Sequence, residues 1–332
     1  MHSDRKIKQS KVVVIGGGTG TSVVLEGLKK YPVELAAIIT TADDGSSSGT
    51  LRKKYQMIPP GDIRQCLVAL ASGNYGYLNE RFQKGFLQGH TLGNLLITLF
   101  HQRSGNFQEA IDDLLKLVGA QGSLLPMTLK PATLMASLKN GKKLIGEKNI
   151  TSSRHINGEL KKLSLRPASI AANPRAIEAI RAADVIIVGP GNLFSSILPV
   201  FLVAEIKNAF LKSKAKKIYV ANLFTQPGHT DGFSLTDFLR VFAEYFGKDP
   251  FTHIIYHNQA IPNKLIKKHS TASIHEQVSL PAEVSKKDKR FIGASIFSRI
   301  TKKRSASDPI AKIRNPFLHD SQKLAKAISK LL

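Results

Sequence analysis

The sequence is poor in cysteine, tryptophan and acidic residues. Its 332 residues include one cysteine, Cys66, and no tryptophan. A single cysteine excludes an internal disulfide and a cysteine-rich metal site, which is typical of proteins from a reducing compartment. No stretch is long and apolar enough to span a membrane, and the polar N-terminus does not resemble a secretory signal. We therefore expect a cytoplasmic protein without a membrane span.

Negative charge is scarce relative to positive charge. The chain has 48 Lys and Arg against 24 Asp and Glu, a formal net charge of +24 at pH 7. Such an excess favours anionic partners, namely nucleotides, nucleic acid or acidic membrane. The basic residues are dense at 139–162 and 286–314, without the interleaved aromatic residues on which bases stack. We expect a solvated, partly flexible basic surface and no specific nucleic-acid binding.

Apolar runs alternate with amphipathic segments along most of the chain. Unbroken runs such as residues 12–15 and 185–188 predict strands buried on both faces, as in parallel sheets. The alternation predicts an α/β fold with a Rossmann-like, open, mostly parallel sheet and helices on both faces. Between about 124 and 166, short period-two segments and Asn-Gly pairs predict an antiparallel β excursion. We predict a single domain over residues 1–332, with that β-rich insertion and a basic, flexible segment at about 281–316.

A glycine cluster follows the first predicted strand. Residues 16–20 are Gly, Gly, Gly, Thr and Gly, and an amphipathic segment comes directly after them. Glycine lets backbone N–H groups approach an anion, and a following helix N-terminus adds free donors. The match to named fingerprints is poor, because Thr21 stands where G-x-G-x-x-G has its last glycine and no Walker lysine follows. A tight turn without a ligand is the alternative interpretation.

Three aspartates and an arginine follow the second predicted strand. Asp43 and Asp44 come directly after it, and Asp62 precedes Arg64 in the next helical segment. Clustered carboxylates repel one another unless a cation or a donor lies between them. Carboxylate oxygens with room for water and a phosphate are typical of a Mg²⁺ site. Alternatively, Asp43 and Asp44 cap a turn and Asp62 caps a helix.

Polar residues follow later strands as well. Gly189, Gly191 and Asn192 come after the run at 185–188, and Asn222 comes after another apolar run. Because the carboxyl ends of parallel strands meet at one edge of a sheet, these residues predict a ligand crevice there.

His90 and Asn94 are spaced to share one helix face. They are four residues apart at the start of a strongly apolar predicted helix. The pair could bind a phosphate or a transferring oxygen. Alternatively, Thr91 caps the helix and His90 packs against the core, and the spacing leaves both interpretations open.

These motifs together resemble the CofD-like superfamily and, within it, the YvcK group of gluconeogenesis factors. The resemblance extends over residues 11–262. The pattern departs at Ser46, where the group has a second glycine, and at His269, where it favours a tyrosine. The group's C-terminal Arg-His-Asp stretch is spread over Arg314, His319 and Asp320. The matching motifs lie at residues 16–20, 42–45, 47–49, 59–67, 89–94, 189–193 and 225–233.

The resemblance implies a regulatory protein that binds a UDP-sugar such as UDP-N-acetylglucosamine and influences carbon flux, cell shape and cell-wall synthesis. The glycine loops would then receive the diphosphate, and Asn192, Asn222 and Arg314 would reach the sugar or the base. A homodimer is compatible with this resemblance. The implied ligand-binding residues are Gly17, Gly18, Thr19, Gly20, Asp43, Gly45, Ser46, Arg64, Asn94, Gly189, Gly191, Asn192, Asn222 and Arg314.

The alternative implied by the resemblance is a CofD-like, Mg²⁺-dependent enzyme. It would transfer a phospholactyl-type or phosphoryl group from a nucleotide-diphosphate donor. Asp43, Asp44 and Asp62 are the candidate Mg²⁺ ligands, and Asp44, Asp62 and His90 are the candidate catalytic residues. Whether the protein catalyses any reaction stays open at this point.

Overall fold

The computed structural model describes residues 9–269, 276–298 and 317–332. Within these residues, seven parallel strands form one sheet and three antiparallel strands form another. The structure therefore confirms the predicted α/β class. The strands are β1 Ser10–Gly16, β2 Val33–Ile39, β3 Ser123–Pro126, β4 Thr133–Leu138, β5 Lys143–Ile145, β6 Leu160–Arg166, β7 Val185–Val188, β8 Lys216–Val220, β9 His253–His257 and β10 Phe291–Ala294.

Helices precede or follow most strands of the parallel sheet. Two short irregular helices accompany them, a 3₁₀ turn at Gly76–Asn79 and a π turn at Leu193–Ile197. The α-helices are α1 Gly18–Leu28, α2 Ser46–Tyr55, α3 Gly61–Leu70, α4 Leu92–Ser104, α5 Phe107–Leu117, α6 Glu147–Thr151, α7 Pro174–Ala182, α8 Leu198–Phe201, α9 Ala204–Lys212, α10 Leu235–Phe246, α11 Asn263–His269, α12 Ala282–Lys287 and α13 Ser321–Ser329.

The order of the strands reverses at β1. The parallel sheet runs β10-β9-β8-β7-β1-β2-β3, so the chain builds outward from β1 in one direction and then in the other. Val13 of β1 pairs with Ala36 on one side and with Ile186 on the other. The loops after β1 and β7 therefore leave adjacent strands toward opposite faces, which opens a crevice between them.

Both faces of the sheet are covered. Val12 and Val14 belong to a core that includes side chains of α1, α3 and α13. Val13 and Ile15 belong to a second core that includes side chains of α9 and α10. Successive strand residues point to opposite faces, so an unbroken apolar run suits a strand buried on both sides.

The predicted insertion differs from the observed one at its start. Residues 123–126 form β3, whose Leu124 pairs with Ala37 of β2 at the edge of the parallel sheet. The antiparallel sheet, in the order β5-β4-β6, begins only at Thr133. The predicted hairpin turn is present between β4 and β5, where Gly141 has a φ of +85°. Residue 141 thus adopts a positive φ, which glycine reaches without steric cost.

The basic segment expected at 281–316 is described only in part. Residues 281–298 include α12 and β10, and β10 pairs in parallel with β9. Residues 299–316, and with them Arg314, lie outside the described residues.

No single helix in the described part of the chain is both long and apolar enough to cross a membrane. One pair of helical segments, Leu193–Phe201 and Ala204–Lys212, reaches the required length and composition only together, and the pair bends by 79° at its break.

Candidate functional site

A cavity of about 300 Å³ lies at the carboxyl ends of β1 and β7, where the strand order reverses. Open α/β sheets bind ligands at this position. Loops after β2 and β8, the first turns of α3 and α4, and α6 of the insertion complete the wall. The predicted site residues that line it are Gly17, Gly18, Thr19, Gly20, Asp43, Gly45, Ser46, Asp62, Arg64, Asn94, Gly191, Asn192 and Asn222.

The glycine loop brings α1 and α3 close together. A Cβ on Gly18 would lie 2.5 Å from Oδ1 of Asp62 and 2.9 Å from its Cα, so a side chain does not fit there. Beside it, the hydroxyl of Thr19 donates to Oε1 of Gln65 at 2.7 Å. The loop thus presents backbone at the cavity wall, with the Asp62 carboxylate directly opposite.

Asp43 and Asp62 both face the cavity. Oδ1 of Asp43 accepts the N–H of Gly45 at 2.9 Å, which fixes the turn after β2. Helix α3 begins at Gly61, and its capping position is Pro60, so Asp62 lies in the first turn and is not the N-cap. Oδ1 of Asp43 therefore caps a turn, as in the alternative interpretation, whereas Asp62 does not cap α3.

Asp44 does not line the cavity, in contrast to its predicted role as a metal ligand and catalytic candidate. Its Oδ1 accepts the backbone N–H of Lys148 at 2.8 Å, so the carboxylate connects the β2 loop to the insertion. In the described residues, no group of three or more His, Cys, Asp or Glu side chains is arranged to hold a metal ion. The structure thus does not bring the three predicted aspartates together as one ligand set.

Two of the aspartates still suit Mg²⁺. This ion commonly binds through one or two carboxylates and takes its other ligands from water and substrate phosphate. Asp43 and Asp62 line one cavity beside backbone that Gly18 leaves accessible. Their donor chemistry fits Mg²⁺ together with a phosphate ligand.

Glu147 is a site residue that the sequence reasoning missed. It starts the five-residue helix α6 and accepts hydrogen bonds from the hydroxyls of Thr151 and Ser195. Burial raises the pKa of Glu147 to about 8, and the nearby carboxylates of Asp43 and Asp62 add to that shift. The raised pKa favours the protonated form of Glu147 near neutral pH, and in that form the carboxyl can also donate a hydrogen bond.

Arg64 is buried and organises the first turn of α4. Its Nη1 donates to Oγ1 of Thr91 at 2.8 Å and to Oδ1 of Asn94 at 2.9 Å. Nδ2 of Asn94 donates to the hydroxyl of Ser47 at 3.0 Å, and Nδ1 of His90 lies 2.9 Å from the same hydroxyl. Arg64 and Asn94 thus form one hydrogen-bonded network at the cavity wall.

His90 belongs to this network but does not line the cavity. Thr91 caps α4, since its hydroxyl accepts the N–H of Asn94 at 3.2 Å. Burial lowers the pKa of His90, and the nearby Arg81 and Lys54 lower it further. The capping alternative for Thr91 is therefore observed, and the contact of His90 with the site that the described residues show is the one with Ser47.

The loop after β7 forms the opposite wall. Oδ1 of Asn192 accepts two backbone N–H groups, those of Phe194 and Ser195, at the start of the π turn. Nδ2 of Asn192 is buried and has no partner among the described residues. Nδ2 of Asn222 donates to the carbonyl of Gly191 at 2.7 Å, whereas Gly189 does not line the cavity. Asn192 therefore retains a donor that a ligand oxygen would satisfy.

The far end of the cavity is more apolar. The rings of Phe224 and Phe317 stack there with centroids 4.6 Å apart, and Leu318 and His319 complete the wall. Nε2 of His319 lies 3.0 Å from the carbonyl of Ala221. Burial lowers the pKa of His319 to about 4, so its ring is neutral at pH 7.

Fold and site together define a doubly wound α/β protein with a polar cavity at its switch point, lined by glycine backbone, amides and carboxylates. A family model described as 2-phospho-L-lactate transferase CofD matches residues 12–297. The chain belongs to the CofD family.

Relatives from two bacteria support this assignment. The gluconeogenesis factor of Bacillus subtilis is 34% identical over 330 residues, covering 98% of this chain and 99% of the relative. The gluconeogenesis factor of Listeria monocytogenes is 37% identical over 275 residues, covering 81% of this chain and 84% of the relative. A crystal structure of a UPF0052 family protein from Bacillus halodurans superimposes with a TM-score of 0.86 at 33% identity, covering 97% of this chain and 99% of that chain.

Proposed function

We propose that this protein binds a nucleotide-sugar of the UDP-N-acetylglucosamine type and is a regulatory gluconeogenesis factor linked to carbon flux, cell shape and cell-wall synthesis. Two relatives that match most of the chain are named gluconeogenesis factors. The observation that supports a ligand most directly is the buried Nδ2 of Asn192, which has no partner among the described residues and belongs to a side chain at the wall of the switch-point cavity. A buried donor without a partner is costly unless a ligand or water satisfies it.

The cavity suggests how such a ligand would lie. Backbone N–H groups of the loop at 17–20, with the first turn of α1, suit the diphosphate. Asp43 and Asp62 would hold Mg²⁺ against the phosphate oxygens, which would neutralise charge on the diphosphate. Asn192 and Asn222 lie on the opposite wall, within reach of the sugar or the base.

The second candidate is a Mg²⁺-dependent transferase of phospholactyl or phosphoryl groups. The description of the matching family model favours it. So does the presence of Asp62 and Glu147 in one cavity, because carboxyl groups can accept and donate a proton during group transfer. Asp62 would accept the proton of an attacking hydroxyl.

Calorimetry distinguishes these proposals. We expect heat on titration of UDP-N-acetylglucosamine, more in the presence of Mg²⁺ than in its absence. Asp62→Asn should reduce the extra binding that Mg²⁺ causes. The control Asp113→Asn, which changes an exposed residue of α5, should leave it unchanged. No heat with the wild type at high protein concentration would contradict nucleotide-sugar binding. Release of a nucleoside monophosphate on addition of an alcohol acceptor would favour the transferase.

A homodimer stays a prediction, which sedimentation of the full chain with and without UDP-N-acetylglucosamine would test.

A further inference from the structure

The antiparallel insertion forms part of the cavity wall. Its helix α6 contributes Glu147, Lys148 and Thr151 to the lining. The basic lining residues are Lys148 together with Arg64 and Arg81. These three residues differ in whether their charged groups already have hydrogen-bond partners within the protein.

Arg64 and Arg81 are engaged within the fold. The Arg64 guanidinium donates to side chains around the first turn of α4, and Nη1 of Arg81 donates to the carbonyl of Gly89 at 2.7 Å. In the described residues, the Lys148 ammonium has neither a hydrogen bond nor an ion pair, although its backbone N–H is bound. Of the three basic lining residues, Lys148 is thus the one whose charged group has no partner among the described residues, and it is exposed to solvent.

Asp44 fixes the backbone of Lys148. Its Oδ1 accepts the Lys148 N–H at 2.8 Å, across 104 residues of sequence. Gly146, two residues earlier, has a φ of +94°, and a Cβ there would collide with the Asp44 carboxylate. Gly146 therefore allows both the turn into α6 and the close approach of Asp44.

We propose that Lys148 binds the phosphate of the nucleotide ligand and that Asp44 is a positioning residue, which holds Lys148 at the cavity. The proposal rests on the proposed function. Asp43 and Asp62 line the same cavity, so these two carboxylates and a ligand diphosphate together carry more negative charge than one Mg²⁺ neutralises. A lysine ammonium beside the phosphate offsets part of that charge and donates charge-assisted hydrogen bonds.

Lys148→Met tests the binding role. The matched control is Lys143→Met, which removes the same charge from an exposed position of β5 in the same insertion. The probes are UDP-N-acetylglucosamine and inorganic pyrophosphate, each titrated into the full chain with Mg²⁺ present. We expect Kd to rise about 10- to 100-fold for Lys148→Met, the range for loss of a charged hydrogen bond, with a shallower salt dependence. Lys143→Met should bind like the wild type.

The outcomes separate this inference from the proposed function. If the wild type binds neither probe, the proposed function fails and this inference fails with it. If the wild type binds and Lys148→Met binds equally well, only the role of Lys148 is overturned.

A double variant tests the positioning role. Asp44→Ala should weaken binding and speed hydrogen exchange at the Lys148 amide, whereas Asp44→Asn retains an acceptor oxygen and should restore both. Because Asp44 acts through Lys148, the double variant with Lys148→Met should bind no more weakly than Lys148→Met alone. Additive losses would show that Asp44 acts independently of Lys148 and would overturn its positioning role. Loss of the Mg²⁺ dependence in Asp44→Asn would overturn it as well, because it would identify Asp44 as a metal ligand.

Discussion

Acid should remove the stabilising contribution of a neutral, buried His319. The ring is buried against the carbonyl of Ala221, and burial lowers its pKa from 6.5 to about 4, with the nearby His257 adding to the shift. In the unfolded chain the ring regains its ordinary pKa. Between these two pKa values the unfolded state therefore binds the proton first, and stability falls as the pH drops.

The size of this loss follows from the two pKa values. Because each unit of difference is worth about 1.4 kcal/mol, lowering the pH from neutral to about 5 should cost about 2 kcal/mol at His319. In His319→Gln the side chain no longer titrates, and its amide can still donate to the Ala221 carbonyl. On acidification, the change in the free energy of unfolding should therefore be less unfavourable in the variant than in the wild type, by about 2 kcal/mol.

Urea unfolding at neutral pH and at about pH 5 measures both losses. His155→Gln is the control, because His155 is an exposed histidine of the insertion. This control should lose as much stability as the wild type. Equal losses in the wild type and in His319→Gln would refute the reasoning, since they would mean that His319 does not titrate differently on folding.

Three further changes concern the cavity rim. Ser46→Gly should raise stability by about 1 kcal/mol, because Ser46 has a φ of +44°, and an unchanged or lower urea midpoint would count against this. Gly18→Ala should lower the free energy of unfolding, measured with urea, by about 1–3 kcal/mol, because the added Cβ pushes α1 away from Asp62. Gly191→Ala should leave that free energy unchanged, because its added Cβ would lie 3.5 Å from the nearest atom. As the pH rises from 4.5 to about 8, the free energy of unfolding should fall in the wild type, because Glu147 loses its proton more easily in the unfolded chain than in the folded one. In Glu147→Gln this fall should be smaller, and equal falls in both proteins would disprove the reasoning.

The fold class was predictable because the strand pattern is local. Residues 12–15 are a branched apolar run, and each lies buried in the centre of the sheet. The assignment of β3 failed for the opposite reason. Leu124 and its neighbours form a short segment whose sheet is decided by pairing with Ala37, a contact distant in sequence. Periodicity over four residues does not distinguish an edge strand of one sheet from the first strand of another.

The site was predictable where the backbone determines it. The glycine loop and Asp62 face each other because the loop follows a strand and Asp62 lies in the first turn of a helix. Asp43 and Asp44 are adjacent, but the sequence does not show that Asp43 binds the Gly45 N–H beside the cavity whereas Asp44 binds the backbone of the distant Lys148. Glu147 gave no signal, since its position depends on how a five-residue helix of the insertion packs onto the sheet edge.

Helix α13 has a consequence for how the chain acquires its structure during synthesis. Leu324 and Ile328 of this helix are buried in the same core as Leu25 and Leu28 of α1. During synthesis, the first βαβ unit thus exposes an apolar groove to solvent until the residues of α13, some 300 positions later, have left the ribosome. A nascent chain stalled before α13 should therefore be a client for chaperones, although every cavity residue up to Asn222 has by then been synthesised.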